Sequence, residues 1–153
     1  MLVGLVSIIT VAQVNGSRPK LVVGIVVDQL RTDYIESLES LFGEKGFKRL
    51  MKEGAYLRDV DFVVANPDAV NATAMIYTGN YPSKNGVVAS SIYNAEKHKS
   101  EASLNDPSSI GNFTTETYSP HNLMLSTISD EVKIDGAGLG AVYSIALDPQ
   151  QAI

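Results

Sequence analysis

Asp28 closes an unbroken apolar run, KLVVGIVVDQL, and a carboxylate at the carboxyl end of a buried strand is placed to meet a cation or a substrate. A lone charge there is expensive to bury, so it needs a cation or strong donors, unless it only caps the following turn. Spacing alone leaves both readings open. A second stretch, NPDAVNATAMIYTGNYPSKNG at residues 66–86, reads as a loop entering a short helix that ends at a turn, the frame of a nucleophile-bearing loop. The two histidines add little. His98 lies in a polar segment and His121 near a helix start, neither with a partner at ligand spacing, so both read as solvent-exposed. With no cysteine there is no disulfide, no thiolate metal site and no cysteine nucleophile. Asn15, Asn71 and Asn112 each open an N-x-Ser/Thr triplet, to which we attach no meaning.

The elements that must position these residues follow from periodicity. KLVVGIVVDQL is β-branched and continuous, as in a strand buried on both faces of a parallel sheet. A helix is expected from Thr32 or Asp33, with Ile35, Leu38 and Phe42 on one side and Gly43 closing it. GFKRLMKEG reads as a second helix stopped by Gly54, AYLRDVDFVV as a strand, and ATAMIYTG as a short helix ended by Gly79 before Pro82 and a turn at Asn85–Gly86. Residues 95–118 are polar with almost no periodicity, which suggests a flap or an insertion. From Ser119, a plausible N-cap, SPHNLMLSTISDEVKIDG reads as one helix, with Pro120 at its first position and Gly136 as its stop. GAVYSIAL is another buried-type strand, ending at Asp148. This order implies an α/β doubly wound fold, a mainly parallel sheet with helices on both faces.

A length of 153 residues corresponds to about one domain. A content of 44% hydrophobic and 19% charged residues is that of a globular chain. The net charge of −5 provides no basic surface for nucleic acid, and the lysines and arginines around Phe47 are interleaved with Glu44 and Glu53. MLVGLVSIITVA is too short to anchor the chain stably in a bilayer, which takes about 20 residues. Thr10 and Ala12 suit a signal-peptidase cut, although no basic residue precedes the apolar run. Residues 1–18 are therefore read as a signal peptide, placing the protein in the periplasm or outside the cell.

RPKLVVGIVVDQLRTDYIE, GFKRLMKEGAYLRDVDF, MIYTGNYPSKNGVV and YSPHNLMLSTISDEV together resemble the alkaline phosphatase superfamily. The likeness is closest to secreted phosphate-monoester hydrolases of the Bacteroidetes type, with nucleotide pyrophosphatase/phosphodiesterases as cousins. It covers most of residues 19–150 and implies that residues 19–153 are the N-terminal portion of such a domain. The resemblance further implies a two-zinc site in which Asp28 is a metal ligand, the remaining Asp and His ligands lying further along the polypeptide. Two cations about 4 Å apart would clamp the attacking and leaving oxygens of a phosphoryl transfer. A Thr or Ser nucleophile would sit between them at a helix start.

The departures lie in that segment. Relatives carry a sequence close to Thr-Gly-Pro-Gly-His-Ala-Ser-Ile-Tyr-Thr-Gly, nucleophile first, and anchoring on Ile76–Gly79 puts Ala69 in the nucleophile's place. Their Pro falls on Asn71, their His on Thr73, a phosphate-contacting Asn on Ser90, and their His-Gly on Asn85–Gly86. A methyl group offers no lone pair, so covalent catalysis at Ala69 is impossible. A one-residue slip would substitute Asp68. Thr73 has a hydroxyl but lies about 6 Å down the helix axis, a weak replacement. Three expectations result: a secreted zinc-dependent hydrolase of phosphate esters acting through metal-bound water, an inactive relative binding a small phosphorylated or sulfated ligand, or a plain α/β domain whose Asp28 caps a turn.

Overall fold

A computed structural model describes residues 19–152. Its elements are α1 (Thr32–Leu38) with a 3-10 turn at Glu39–Leu41, α2 (Phe47–Glu53), α3 (Ala69–Thr78), α4 (Pro82–Asn85), β1 (Ser91–Asn94) and β2 (Lys99–Ala102). A 3-10 turn at Pro120–Asn122, α5 (Ile128–Asp135) and α6 (Pro149–Ala152) follow.

α3 organises the described core. Asp68 begins it through a capping box with Asn71, and Gly79 ends it in the left-handed conformation at φ 64°, its N–H donating to Met75 O. Val70 from α3 packs with Val87 and Leu104, and Ala74 and Leu123 close over them. Three polar residues are buried beside this small cluster: Asn71, Asn85 and Ser103. The Asn85 side chain donates to Asn80 O at 2.9 Å and accepts from Val87 N–H at 2.9 Å. A buried amide survives only when paired in this way.

The three apolar runs read as strands, around residues 20–27, 55–64 and 141–147, carry no ladder among the described residues. The one sheet there is β1 with β2, antiparallel, from Ser91↔Ala102 to Asn94↔Lys99. Their side chains are also exposed, Ile25 at 82% and Ile145 at 95%, contrary to the burial their composition favours. A continuous β-branched run states a preference for burial, but a strand exists only when a neighbour satisfies its N–H and C=O groups. Gly24 shows where the first run lies: a Cβ there would be 3.1 Å from Tyr77 Oη, so this run passes alongside α3.

Residues 95–118, where the sequence suggests a flap or an insertion, open with the turn and second strand of the β1–β2 hairpin. Its strands are too rich in Ser, Lys and Glu to alternate, and polar contacts hold it instead. Asn94 Oδ1 accepts from Glu96 N–H and Lys97 N–H in the turn, and Lys97 and Lys99 both pair with Glu101. The Lys97 ammonium, then Asn94 and Lys99, hold the Glu101 carboxyl below its ordinary range. The long helix expected from Ser119 is broken. Ser119 caps only the Pro120–Asn122 turn, and α5 starts at Ile128 behind a Thr127–Asp130 capping box. Tertiary bonds pull the intervening chain out of helix: Met124 N–H donates to Asn85 O at 2.9 Å, and Asn122 Nδ2 to Ser103 O at 2.6 Å.

Asp106 ties the end of the hairpin loop to Ser119. Ser108 Oγ and Ser119 Oγ donate to its carboxylate at 2.6 and 2.5 Å, and together with Ser108 N–H they lower its pKa to about 2. The folded value lies below the unfolded one, so this tie contributes fully above about pH 4 and is lost as pH falls towards about 2. An acid titration followed at the Ser119 amide is expected to show that step, and Asp106→Asn to remove it.

Candidate functional site

The amino end of α3 gathers most of the residues singled out above. Asp68 Oδ1 accepts from Val70 N–H at 3.0 Å and from Asn71 N–H at 2.8 Å. Its Oδ2 accepts from Ser90 N–H at 2.6 Å, from a segment 22 residues away. Asn71 answers the cap: its Oδ1 accepts from Asp68 N–H at 2.9 Å, while its Nδ2 donates to Asn66 O at 2.9 Å and Val88 O at 2.8 Å. Both donors and one acceptor site of this buried amide are used. Ala69 is the first residue of α3, half-buried, with only its methyl to present. The Thr73 hydroxyl donates to Ala69 O at 2.7 Å, so it serves its own helix. Ser90 meets Asp68 through its backbone.

Asp28 stands apart from these contacts. It sits exposed in the turn after the first apolar run, beside Gln29 at φ 60°, and no hydrogen bond or ion pair joins it to the described residues. Its carboxylate therefore does not cap the turn, one of the two roles left open by spacing. His98 and His121 are exposed, as expected. Among the described residues no three His, Cys, Asp or Glu side chains gather as a group able to hold a metal ion. The described residues thus do not by themselves fit a two-zinc centre: none of them adds a second candidate ligand beside Asp28.

A cavity of about 240 Å³ opens between α3, α5 and α6, lined by Val70, Thr73, Tyr77, Lys133, Tyr143 and Gln150 among others. Asp130, on its wall, is committed to the cap of α5, and the Thr127 backbone N–H first of all holds its carboxyl below the usual range. The cavity wall also carries Ser129 and Lys133, while the Thr73 hydroxyl and the Asp130 carboxylate are bonded within their own helices.

Sequence reasoning passed over the Asp68–Asn71 pair as a structural unit. The signal was present: a carboxylate three residues before an amide, at the mouth of a helix, is the spacing of a capping box.

The described residues form part of an α/β fold in which a capping box opens α3 and a small antiparallel hairpin follows it. The signature of type I phosphodiesterase / nucleotide pyrophosphatase matches residues 22–142, and the chain belongs to that family. It is 31% identical over 140 residues to the alkaline phosphatase PhoV of Synechococcus elongatus, covering 90% of this chain and 26% of that protein. It is 34% identical over 141 residues to the alkaline phosphatase PafA of Elizabethkingia meningoseptica, covering 89% of this chain and 26% of PafA. A protein of Myroides odoratus named calcium-transporting ATPase is 34% identical over 141 residues, covering 89% and 25%. The crystal structure of a PafA mutant superimposes with a TM-score of 0.81 at 31% identity, over 89% of this chain and 27% of that one. The fold is accordingly that of the alkaline phosphatases, and the chain spans about a quarter of the length of the relatives it matches.

Proposed function

We propose that this chain is the amino-terminal part of a secreted, metal-binding relative of the phosphate-ester hydrolases in which the covalent route has been lost. One observation carries the reading: the first residue of α3 is Ala69, and the carboxylate beside it is already engaged by three backbone N–H groups. Attack by Asp68, the one-residue slip, would draw its carboxylate away from those three donors. The Thr73 hydroxyl donates its hydrogen bond to the Ala69 carbonyl, one turn back in its own helix.

Asp28 keeps a metal role in this proposal, as one ligand of a zinc centre completed by groups outside residues 19–152. Its placement supports that role. From Gly24 to Asp28 an extended chain covers about 13 Å, and from Tyr77 back to Ala69 a helix covers about 12 Å. With strand and helix antiparallel, as in an α/β layer, Asp28 and Ala69 would reach the same end. The ligand of such a protein is a small phosphorylated or sulfated compound, and the apolar first residues serve as its export signal.

A second reading keeps hydrolysis, through water activated at the metal. The exposed carboxylate of Asp28, without a partner among the described residues, favours it. The two separate in an assay, with added zinc and aryl phosphate mono- and diesters, of the longest polypeptide that carries this chain: hydrolysis there favours the second reading. The 153-residue chain is expected to show no turnover above buffer, because one carboxylate does not hold a two-metal centre. Zinc-dependent hydrolysis by the purified chain contradicts the proposal.

A further inference from the structure

The donors at the amino end of α3 come from two separate segments, and both are pinned. Val70 and Asn71 N–H are the free donors of the first helical turn, and Ser90 N–H reaches across to the same carboxylate. Ser90 is held from both sides. Asn71 Nδ2 fixes Val88 O at 2.8 Å, the Ser103 hydroxyl bonds Ala89 O, and Ser103 N–H donates to Ser90 O at 3.0 Å. A carboxylate with oxygens on three convergent N–H groups occupies the geometry in which a helix start receives a phosphate or sulfate oxygen. Its negative charge also repels a second anion from the same place.

We propose that Asp68 is an internal stand-in for an oxyanion, closing the amino end of α3 to phosphate and sulfate. The proposal deepens the reading above, since it takes Ala69 to mark where the phosphoryl group of relatives would sit. It adds that the loss is double: the attacking group is gone, and the donors that would hold the transferred group are filled from within. Restoring a hydroxyl at position 69 would therefore not restore a phosphate site, because Asp68 would still hold the amides.

The test needs neither metal nor ester, so its outcome is separate from that of the hydrolysis assay. Inorganic phosphate is titrated into the isotopically labelled 153-residue chain, as wild type, Asp68→Gly and Asp68→Asn, with the fold checked by circular dichroism. Glycine is tolerated at an N-cap and removes the carboxylate; asparagine keeps a capping oxygen without the charge. In wild type the amides of Val70, Asn71 and Ser90 are expected not to shift with phosphate. In Asp68→Gly all three should shift together, with an affinity at least about tenfold above wild type, or about 1.4 kcal/mol. Wild type shifting the same amides with the same midpoint overturns the proposal. So does a folded Asp68→Gly whose shifts are absent or lie elsewhere. Should the glycine variant not fold, Asp68→Asn decides: phosphate-dependent shifts of the three amides support the proposal, and their absence overturns it.

Discussion

Asn71→Ala is expected to lower the stability of the chain by about 3 kcal/mol, with a drop of about 10 °C in melting temperature. The side chain is buried and makes three hydrogen bonds: donating to Asn66 O at 2.9 Å and Val88 O at 2.8 Å, and accepting from Asp68 N–H at 2.9 Å. Truncation leaves two carbonyls and one N–H without the partner they share, a side chain whose residue is only 1% exposed. That deficit, more than the bonds themselves, sets the size of the effect. The position links structure to function, since the bond to Val88 O holds the segment from which Ser90 N–H meets Asp68. Amide exchange at Ser90 should therefore accelerate in the variant beyond the global loss of stability. Urea unfolding checks the first claim, and a loss below about 1 kcal/mol, an ordinary surface-like effect, would show that this amide does not tie the two segments.

Gly86→Ala should cost about as much, near 3 kcal/mol, for two reasons that a control can separate. Gly86 sits at φ 85°, where any side chain is strained, and a Cβ there would lie 2.7 Å from the backbone oxygen of Asn122 and 3.1 Å from Met124 Cγ. A backbone oxygen does not rotate away. The 3-10 turn would have to move, and with it the bonds Met124 N–H to Asn85 O and Asn122 Nδ2 to Ser103 O. Gly79 supplies the control, with φ 64° and nothing within 4 Å of its missing Cβ. Gly79→Ala pays the left-handed conformation alone, about 1 kcal/mol. Equal losses in the two variants would show that the contact with the Pro120–Asn122 turn contributes nothing.

The two glycines illustrate which features a sequence exposes. Gly79 was legible as a stop and Gly86 as part of a turn, because a left-handed residue is a local requirement, met within a few residues. Three helices were legible from local spacing, although α1 ends at Leu38 before its expected close at Gly43 and α3 starts at Ala69, ahead of ATAMIYTG. What failed was decided at a distance. The expected helix from Ser119 had its N-cap and its proline, yet Asn85 O and Ser103 O draw Met124 and Asn122 out of line, and Thr127 restarts the helix. The hairpin of residues 91–102 is held by Asn94, Lys97, Lys99 and Glu101, not by an apolar face, so no alternation announced it.

At the site, the residue types were legible and their engagements were not. Ala69 says by chemistry alone that no nucleophile stands there. That Asp68 holds Ser90 N–H requires knowing that residues 88–90 return to the mouth of α3, and Asn71 and Ser103 arrange this through buried contacts between segments remote in sequence. Asn85, read as a departure from a histidine, proves to be a fully buried bracket between Asn80 and Val87.

The central claim is that nothing at the head of α3 can take a phosphoryl group. Its most direct test is the intact mass of the protein, quenched in acid during incubation with zinc and an aryl phosphate. The measurement should be made on this chain and on the longest polypeptide that carries it. The expected spectrum shows no phosphoryl increment at any time point. An increment that maps to α3, whether as an acyl phosphate on Asp68 or an ester on Thr73, would contradict the account.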